Sequence, residues 1–176
     1  MWMKFLKIIV CSLVLVILVV SSYLFIVSDT NKVGIEFLSC IDGDTARFII
    51  NGKEEKVRLL GIDTPEATNM QELYGKEAGD YTCNILKKAN NIYIEYDINS
   101  DRYDKYNRLL GWIFVDGSNL SELLLSKGYA EVRYIYDNYK YVDSLCKAQS
   151  SAYKESLGIW SITNSYKDNY CVKNNY

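Results

Sequence analysis

The residues of this chain most able to do chemistry are carboxylates and arginines at the ends of short apolar runs. In the stretch IDGDT, residues 41–45, Asp42 and Asp44 would point to the same side of an extended strand. Carboxylate oxygens on one side are ligands that a hard cation prefers. A calcium loop of the EF-hand type that begins at Asp42 is excluded, because its sixth position would be Arg47 and not glycine. A polar turn that opens a strand is the structural alternative.

A second cluster lies in RLLGIDTPE, residues 58–66. Arg58 belongs to an apolar strand and needs a carboxylate, a phosphate or both, because an unpaired buried charge is costly. Pro65 is the only proline of the chain. It fixes its own φ and favours an extended Thr64, whose carbonyl would then point in a defined direction. A helix start with Thr64 as N-cap is the alternative.

A third cluster, DRYDKYNRLLGW at residues 101–112, interleaves basic residues with tyrosines just before a predicted strand. Arg108 begins an apolar run, much as Arg58 ends one. Basic and aromatic side chains together suit contacts to phosphates and bases. The structural alternative is a solvated loop with a satisfied ion pair.

Composition restricts the chemistry further. The 176 residues include no histidine, which excludes histidine triads, imidazole proton shuttles and zinc sites of mixed nitrogen and sulfur ligands. Any metal must be held by oxygen or thiolate. The formal net charge is −2, whereas a nonspecific polyanion-binding protein is usually basic. A nucleic-acid ligand would therefore need a local positive patch and a bound cation.

The N-terminal part predicts export. Residues 8–27 form an uncharged apolar run after Lys4 and Lys7. As a helix this run is long enough to cross a bilayer. We favour an uncleaved signal anchor over a cleaved signal peptide, because the run continues past a weak cleavage site. Positive flanks stay cytoplasmic, so either alternative places the rest of the chain outside the membrane.

Four of the five cysteines lie beyond that run, where disulfides persist. The four are Cys40, Cys83, Cys146 and Cys171. They allow three full pairings, between which the sequence cannot choose, and buried free thiols are the alternative. Cys11 lies inside the apolar run.

Hydrophobic periodicity predicts an α+β domain. The elements are a strand at 33–40, a hairpin at 44–60 turning at Asn51-Gly52, a helix through 74–89, strands at 91–98 and 108–115, a short helix between Asn119 and Gly128, and a last helix at 141–157. Short, evenly spaced strands favour a five-stranded OB-type barrel with three helices, preceded by the N-terminal hydrophobic helix. The predicted domain covers 33–161, between a linker at 28–32 and a loose polar tail at 162–176.

Five motifs share an order and a spacing with one known family. IDGDT, RLLGIDTPE, YGKEA, DKYNRLLG and GIW together resemble the thermonuclease family typified by staphylococcal nuclease, over about residues 33–161. The resemblance implies an OB-type barrel and a calcium-dependent endonuclease of DNA and RNA that leaves 3′-phosphate products. We expect a monomer that contacts the membrane only through its N-terminal helix.

The resemblance also implies a role for individual residues. Asp44 and Asp63 would bind calcium through their carboxylates, and Thr64 through its carbonyl. Glu66 would be the general base, and Arg58 and Arg108 the catalytic arginines. The residues expected to contact the nucleotide are Lys105, Tyr106 and Tyr134.

The chain departs from the family pattern in three ways. The loop between Glu66 and Tyr74 is short, the exported part is acidic, and Asn107 replaces the usual glycine beside Arg108. Asparagine tolerates a left-handed backbone, so the turn at this position can persist. The other two departures bear on affinity and substrate preference, not on the chemistry.

Elementary chemistry agrees with these roles. A hard dication suits an anionic phosphodiester and an all-oxygen ligand set. Glu66 stands three residues beyond Asp63, close enough to act as a base on water, and a positioned base is worth ~10²–10⁴ in rate. Two guanidiniums can clamp phosphoryl oxygens bidentately. The competing functions are a noncatalytic OB-type binding module and a domain that uses calcium only for rigidity.

Overall fold

The structure of this chain is a computed structural model that describes residues 2, 10–21, 32–67, 72–162, 169–174 and 176. Two compact units are present, Met1–Lys32 and Val33–Tyr176. Residues 10–21 of the first unit are helical (α1) and exposed. None of the helices described here combines the length and the apolar character needed to cross a bilayer. The remainder of the apolar run and residues 28–31 of the predicted linker lie outside the described residues.

The second unit is built on a sheet with the strand order β1-β6-β7-β4-β3-β2, in which β8 also pairs with β7. A separate two-stranded sheet joins β5 to β9. The strands are Lys32–Gly34 (β1), Glu36–Cys40 (β2), Thr45–Ile50 (β3), Lys53–Leu59 (β4), Ile62–Asp63 (β5), Ile92–Glu95 (β6), Leu109–Val115 (β7), Ser118–Asn119 (β8) and Glu131–Val132 (β9). Lys32, predicted as part of the linker, therefore begins the first strand.

The hairpin predicted at 44–60 is confirmed. β3 and β4 pair antiparallel from Thr45↔Arg58 to Ile50↔Lys53. Asn51 and Gly52 turn the chain with φ of 51° and 76°, the left-handed pair that a two-residue hairpin loop requires. β4 then pairs in parallel with β7, with Arg58 opposite Leu110. These two pairings fix where Arg58 stands.

The α+β class is confirmed, but a closed five-stranded barrel is not observed. The hydrogen-bonded sheet is open, with β1 and β2 at the two ends of its strand order. These two strands are consecutive in the chain and separated only by Ile35. They continue one another and cannot pair side by side. The predicted long strand at 33–40 is therefore two short strands, of which β1 pairs with β6 and β2 pairs with β3.

The three helices predicted for the domain are confirmed in the described part of the chain, and a fourth was missed. Their bounds are Gly75–Lys88 (α2), Leu120–Ser126 (α3), Val142–Lys154 (α4) and Tyr170–Lys173 (α5), with a 3₁₀ turn at Gly158–Ser161. A helix start at Pro65 is wrong, because Thr64–Ala67 has no helical structure. The Asn119 side chain caps α3 by accepting from the Ser121 amide. Glu122 does not complete a capping box; its carboxylate instead accepts from the Ser144 hydroxyl.

The core packs around β7. Trp112 is fully buried, and its ring meets those of Tyr139 and Tyr141 edge-on, at centroid distances of 6.5 and 5.3 Å. Its indole N–H donates to the buried carboxylate of Asp97 at 2.9 Å. A buried polar group with a partner avoids the cost of an unsatisfied one. β7 is thereby a rigid support for the neighbouring strand that carries Arg58.

Two disulfides cross-link the second unit. Cys40 is joined to Cys83, which ties β2 to α2. Cys146 is joined to Cys171, which ties α4 to α5. Cys11 is free and exposed. The structure thus selects one of the three pairings and overturns the alternative of free thiols at these four positions.

The described part of the predicted loose tail is anchored. Cys171 is 1% exposed and belongs to the hydrophobic core. The Asn169 side chain accepts from the Cys171 amide at 2.9 Å and caps α5. Residues 163–168 of the tail lie outside the described residues.

Candidate active site

The loop after β2 and the segment after β5 meet through Asp44. Its Oδ2 accepts hydrogen bonds from the amide and the hydroxyl of Thr64, at 3.0 and 3.1 Å. Its Oδ1 accepts from the Thr45 hydroxyl at 2.9 Å. Asp44 is 5% exposed and Thr64 is 7% exposed. Two predicted metal-binding residues are therefore in direct contact.

Arg58 connects Asp44 to Asp63. Its Nη2 lies 3.0 Å from Asp44 Oδ2 and 3.0 Å from Asp63 Oδ1. Its Nη1 donates to the carbonyls of Leu59 and Ile62, at 3.0 and 2.8 Å. The guanidinium thus uses donors of both terminal nitrogens inside the protein. The expected buried arginine has the carboxylate partners that its environment requires.

Asp42 does not have the predicted orientation. Residues 42–44 bend, so Asp42 and Asp44 are not successive positions on one side of a strand. Asp42 Oδ1 instead accepts from the Gly43 amide at 2.7 Å. Burial raises the Asp42 pKa to about 6, with help from the nearby charges of Asp44 and Glu66 and from a hydrogen bond to Glu66. Asp42 and Glu66 are therefore close neighbours.

Asp63 has a crowded environment as well. Burial raises its pKa; the charge of Asp44 acts in the same direction, while that of Arg58 opposes it. Asp63 Oδ2 lies 3.5 Å from the Tyr134 hydroxyl and 3.5 Å from Arg133 Nη1. The Asp63↔Glu131 register between β5 and β9 brings these groups together.

Glu66 is an exposed residue whose backbone is hydrogen-bonded to Glu72. Its carbonyl accepts from the Glu72 amide at 2.9 Å, and its amide donates to Glu72 Oε2 at 3.0 Å. A Cβ at Gly75 would collide with the Glu66 carbonyl. The exposed carboxylate of Glu66 is thus carried on a backbone fixed at both its amide and its carbonyl.

Arg108, Lys105 and Tyr106 form a second group on the loop before β7. Arg108 Nε donates to Asp104 Oδ2 at 2.6 Å, and its amide donates to Asp104 Oδ1 at 2.9 Å. Burial acts to raise the Asp104 pKa, but these hydrogen bonds prevail and lower it. Lys105 and Arg108 lie 5.0 and 5.4 Å from the Tyr106 ring centroid. The left-handed turn expected at Asn107 is present, with φ of 59°.

The parallel pairing of β4 with β7 relates the two arginines. Arg58 is opposite Leu110, and Arg108 stands two residues before Leu110. Arg108 immediately precedes β7, so this pairing places it at the start of the strand that neighbours the one carrying Arg58. Arg108 is 24% exposed at its side chain and Arg58 is 8% exposed.

Tyr134 contacts Arg58 and is partly exposed to solvent. The guanidinium carbon of Arg58 lies 5.6 Å from the Tyr134 ring centroid. Burial raises the Tyr134 pKa, as does the charge of Asp63. Tyr134 is 48% exposed and Tyr136 is 81% exposed. Tyr134 is thus a half-exposed side chain beside the Arg58 guanidinium and the Asp63 carboxylate.

Sequence reasoning found most of this group but missed three supporting side chains. Asp104, Glu72 and Arg133 contact predicted site residues through the bonds given above. Asp104 lies in the same loop as Arg108, and its ion pair is the one that the structural alternative for this loop contained. The contacts of Glu72 and Arg133 depend on how loops fold back, for which the sequence carries no local signal.

The oxygen-rich site suits a hard cation, which fits the calcium expectation. Charge repulsion acts between Asp42 and both Asp44 and Glu66, and between Asp63 and Asp44, and it contributes to the raised pKa values of Asp42 and Asp63. A divalent cation would relieve that repulsion. Within the described residues no three His, Cys, Asp or Glu side chains form a ready metal cage. A bound calcium would therefore also need carbonyl or water oxygens, which it accepts.

Comparison with known proteins gives a consistent result. Residues 56–162 match the family model described as staphylococcal nuclease homologue. The chain is 39% identical over 140 residues to SPbeta prophage-derived endonuclease YokF of Bacillus subtilis (strain 168), covering 76% of this chain and 47% of that protein. It is 38% identical to Endonuclease YncB of the same organism, covering 76% and 65%. It is 33% identical over 137 residues to the thermonuclease of Staphylococcus hyicus, covering 76% and 79%. The chain thus spans about half of the first relative and just under two thirds of the second.

Proposed function

Because this chain belongs to the staphylococcal nuclease family, we propose that it is a calcium-dependent endonuclease that hydrolyses phosphodiester bonds of DNA and RNA. The relatives named endonuclease and thermonuclease support the activity. The observation that carries the proposal is the contact of one guanidinium, Arg58, with both Asp44 and Asp63. This contact gathers two acidic groups and one basic group in a largely buried cluster, in which the Asp63 side chain is 28% exposed.

Asp44, Asp63 and the Thr64 carbonyl would hold the calcium. When bound, calcium supplies positive charge that stabilises negative charge on the phosphoryl oxygens. Arg58 has at least one donor, Nε, beyond those it gives to protein oxygens. To hold a phosphate through two donors it must exchange a carboxylate contact for a phosphate contact. Arg108 is more exposed and can reach a phosphate from the neighbouring strand.

Glu66 acts as the general base. Its carboxylate is exposed, while its backbone is fixed by Glu72. Glu66 takes a proton from the attacking water, the new P–O bond forms, and the bond from phosphorus to the 5′-oxygen breaks. The leaving 5′-oxygen takes a proton from solvent. The products are a 3′-phosphate and a 5′-hydroxyl. Lys105, Tyr106 and Tyr134 contact the nucleotides on either side of the arginines.

A digestion assay on fluorogenic DNA and RNA tests the proposal. The wild-type chain should cleave both in calcium and neither in excess chelator. Glu66→Gln should lose activity by about 10²–10⁴-fold while its thermal midpoint stays unchanged. Binding without cleavage by the wild type, in any divalent cation, would replace the nuclease by a noncatalytic nucleic-acid-binding module.

We also propose that the enzyme works outside the cytoplasmic membrane as a monomer. The basis is the apolar run at 8–27 after two lysines. Determining the N-terminal residue of the protein isolated from cells distinguishes a cleaved signal peptide from an anchor. Light scattering on residues 33–176 gives the oligomeric state.

A further inference from the structure

A cavity of about 340 Å³ lies between the segment 131–136 and the last described segment of the chain. Its lining includes Arg133, Tyr134 and Tyr136 on one side and Asn169 and Tyr170 on the other. The volume is at the small end of the range for ligand pockets. Arg133 and Tyr134 also contact Asp63, so the cavity opens beside the candidate active site.

A buried polar network fixes the walls of this cavity. Gln149 is 0% exposed. It accepts from the Val132 amide at 2.6 Å and donates to Asn169 Oδ1 at 2.6 Å. The disulfide from Cys146 to Cys171 adds a covalent link at the same place. The segment that carries Tyr170 is therefore held rigidly against β9.

The chemistry of the lining matches an unpaired nucleotide. Tyr136 is strongly exposed, and Tyr170 is partly buried and stacks on Tyr176 at 25° between ring planes. Arg133 Nε pairs with Glu131 at 2.8 Å, yet the Arg133 side chain is 55% exposed. Aromatic faces that stack on bases, with an arginine for the backbone, are the means by which proteins bind single strands.

We propose that this cavity is a nucleotide subsite in which an unpaired base next to the scissile phosphodiester stacks on the face of the Tyr170 ring that Tyr176 leaves uncovered. The exposed Arg133 guanidinium then contacts the phosphate that follows. The inference rests on the proposed nuclease function and deepens it, because it assigns a base contact to Tyr170, which lies beyond the residues 56–162 that match the family model. A base within a duplex has its faces covered by its neighbours and cannot enter.

The test compares a thymidine hexanucleotide with a thymidine dinucleotide in the presence of calcium. The wild type should show a higher kcat/KM on the hexanucleotide. Tyr170→Ala should reduce that advantage on the order of tenfold through KM, as expected for the loss of one base–aromatic stack. Tyr170→Phe keeps the ring and should retain the advantage. Tyr93→Ala removes a 37% exposed tyrosine outside this cavity and is the matched control.

A binding measurement separates the subsite from the nuclease function. Fluorescence anisotropy with a labelled thymidine hexanucleotide in excess chelator needs no cleavage. Tyr170→Ala should weaken this binding on the order of tenfold, and Tyr170→Leu, which keeps apolar packing if the alanine variant fails to fold, should do the same. An unchanged dissociation constant in a folded variant overturns the subsite. Equal losses on both substrates overturn it too, since they would show a structural role.

If the wild-type chain cleaves neither substrate but binding still depends on Tyr170, the nuclease proposal fails and the subsite stands. If cleavage is normal and the preference for the hexanucleotide does not depend on Tyr170, only the subsite fails.

Discussion

Asp44 and Thr64 are joined by two hydrogen bonds, because Asp44 Oδ2 accepts from both the amide and the hydroxyl of Thr64. This pair connects two loops that are 20 residues apart in the chain. Thr82 on α2 adds a third element, since its hydroxyl donates to the Gly43 carbonyl at 2.6 Å. The positions of the carboxylates therefore depend on the packing of these loops against α2.

Gly43→Ala should disrupt that packing. A Cβ at this position would stand 2.8 Å from Thr64 Oγ1 and 2.9 Å from the Cβ of Ala78. We expect a loss of about 1–3 kcal/mol in the free energy of unfolding, as for other overpacked sites. Urea denaturation measures it.

Gly79→Ala is the matched control for Gly43→Ala. The nearest atom to its added Cβ would be 3.9 Å away, and Gly79 lies inside α2. Alanine in a helix interior should stabilise by about 0.5–1 kcal/mol. Similar losses in both variants would argue against the steric explanation at Gly43.

The two arginines should differ in their effect on stability. Arg58→Met leaves Asp44 and Asp63 without their shared partner, and breaking a buried pair costs about 3–5 kcal/mol. Arg108→Met should cost at most about 1 kcal/mol, because Arg108 is more exposed and Asp104 keeps its backbone hydrogen bonds. Denaturation in chelator measures both, and a cost for Arg58→Met no larger than that for Arg108→Met contradicts the prediction.

Calcium should stabilise Arg58→Met more than it stabilises the wild type. In the variant, a dication would replace the positive charge that Arg58 supplies to Asp44 and Asp63 in the wild type. No guanidinium would compete with the dication for these carboxylates. Thermal midpoints with calcium and with chelator give the two shifts. An equal shift in both proteins would mean that the cation does not bind between these carboxylates.

Glu72→Gln should lower turnover without removing the general base. The Glu72 carboxylate accepts from the Glu66 amide at 3.0 Å, and an amide oxygen is a weaker acceptor than a carboxylate. We expect a fall in kcat of about tenfold, smaller than that for Glu66→Gln. Glu77→Gln on the exposed face of α2 is the control. If Glu72→Gln matched the control, Glu72 would have no positioning role.

The metal-free protein should become more stable as the pH falls from about 7 to about 4. Burial first, and then the charges of Asp44 and Glu66, raise the Asp42 pKa from 3.8 to about 6. The folded state therefore binds more protons than the unfolded state in this window, so the destabilisation present above pH 6 is relieved as Asp42 is protonated. Thermal midpoints at pH 5 and pH 7 in chelator measure the effect.

Asp42→Asn should flatten that pH dependence. Some slope should remain, because the pKa of Asp63 is raised too. A variant with the full wild-type slope would assign the effect to other groups.

The sequence predicted features that depend on neighbouring residues. Asn51-Gly52 specified its hairpin, because few other pairs adopt two consecutive left-handed conformations. Gly128 was expected to end a helix, and α3 does end at Ser126, with Gly128 at φ of 67°. The motifs also predicted which residues would surround Arg58.

Features that depend on distant residues were not predicted. The prediction that Asp42 and Asp44 lie on an extended strand was wrong. The Gly43 carbonyl between them accepts a hydrogen bond from Thr82, which is 39 residues away. The prediction of a loose tail was wrong at Asn169 and Cys171, because the partners that anchor these residues are on α4. A polar composition indicates a loose tail. The sequence does not show that a disulfide and the buried Gln149 side chain bind this segment.

The disulfide between Cys146 and Cys171 also has a consequence for proteolysis. A peptide bond cut anywhere between these two cysteines would leave the fragments covalently joined, so the piece bearing Tyr170 could not diffuse away. Such a nicked protein would run as two bands on a gel only after reduction. In an oxidising environment, the two fragments would therefore stay together even after the backbone is cut.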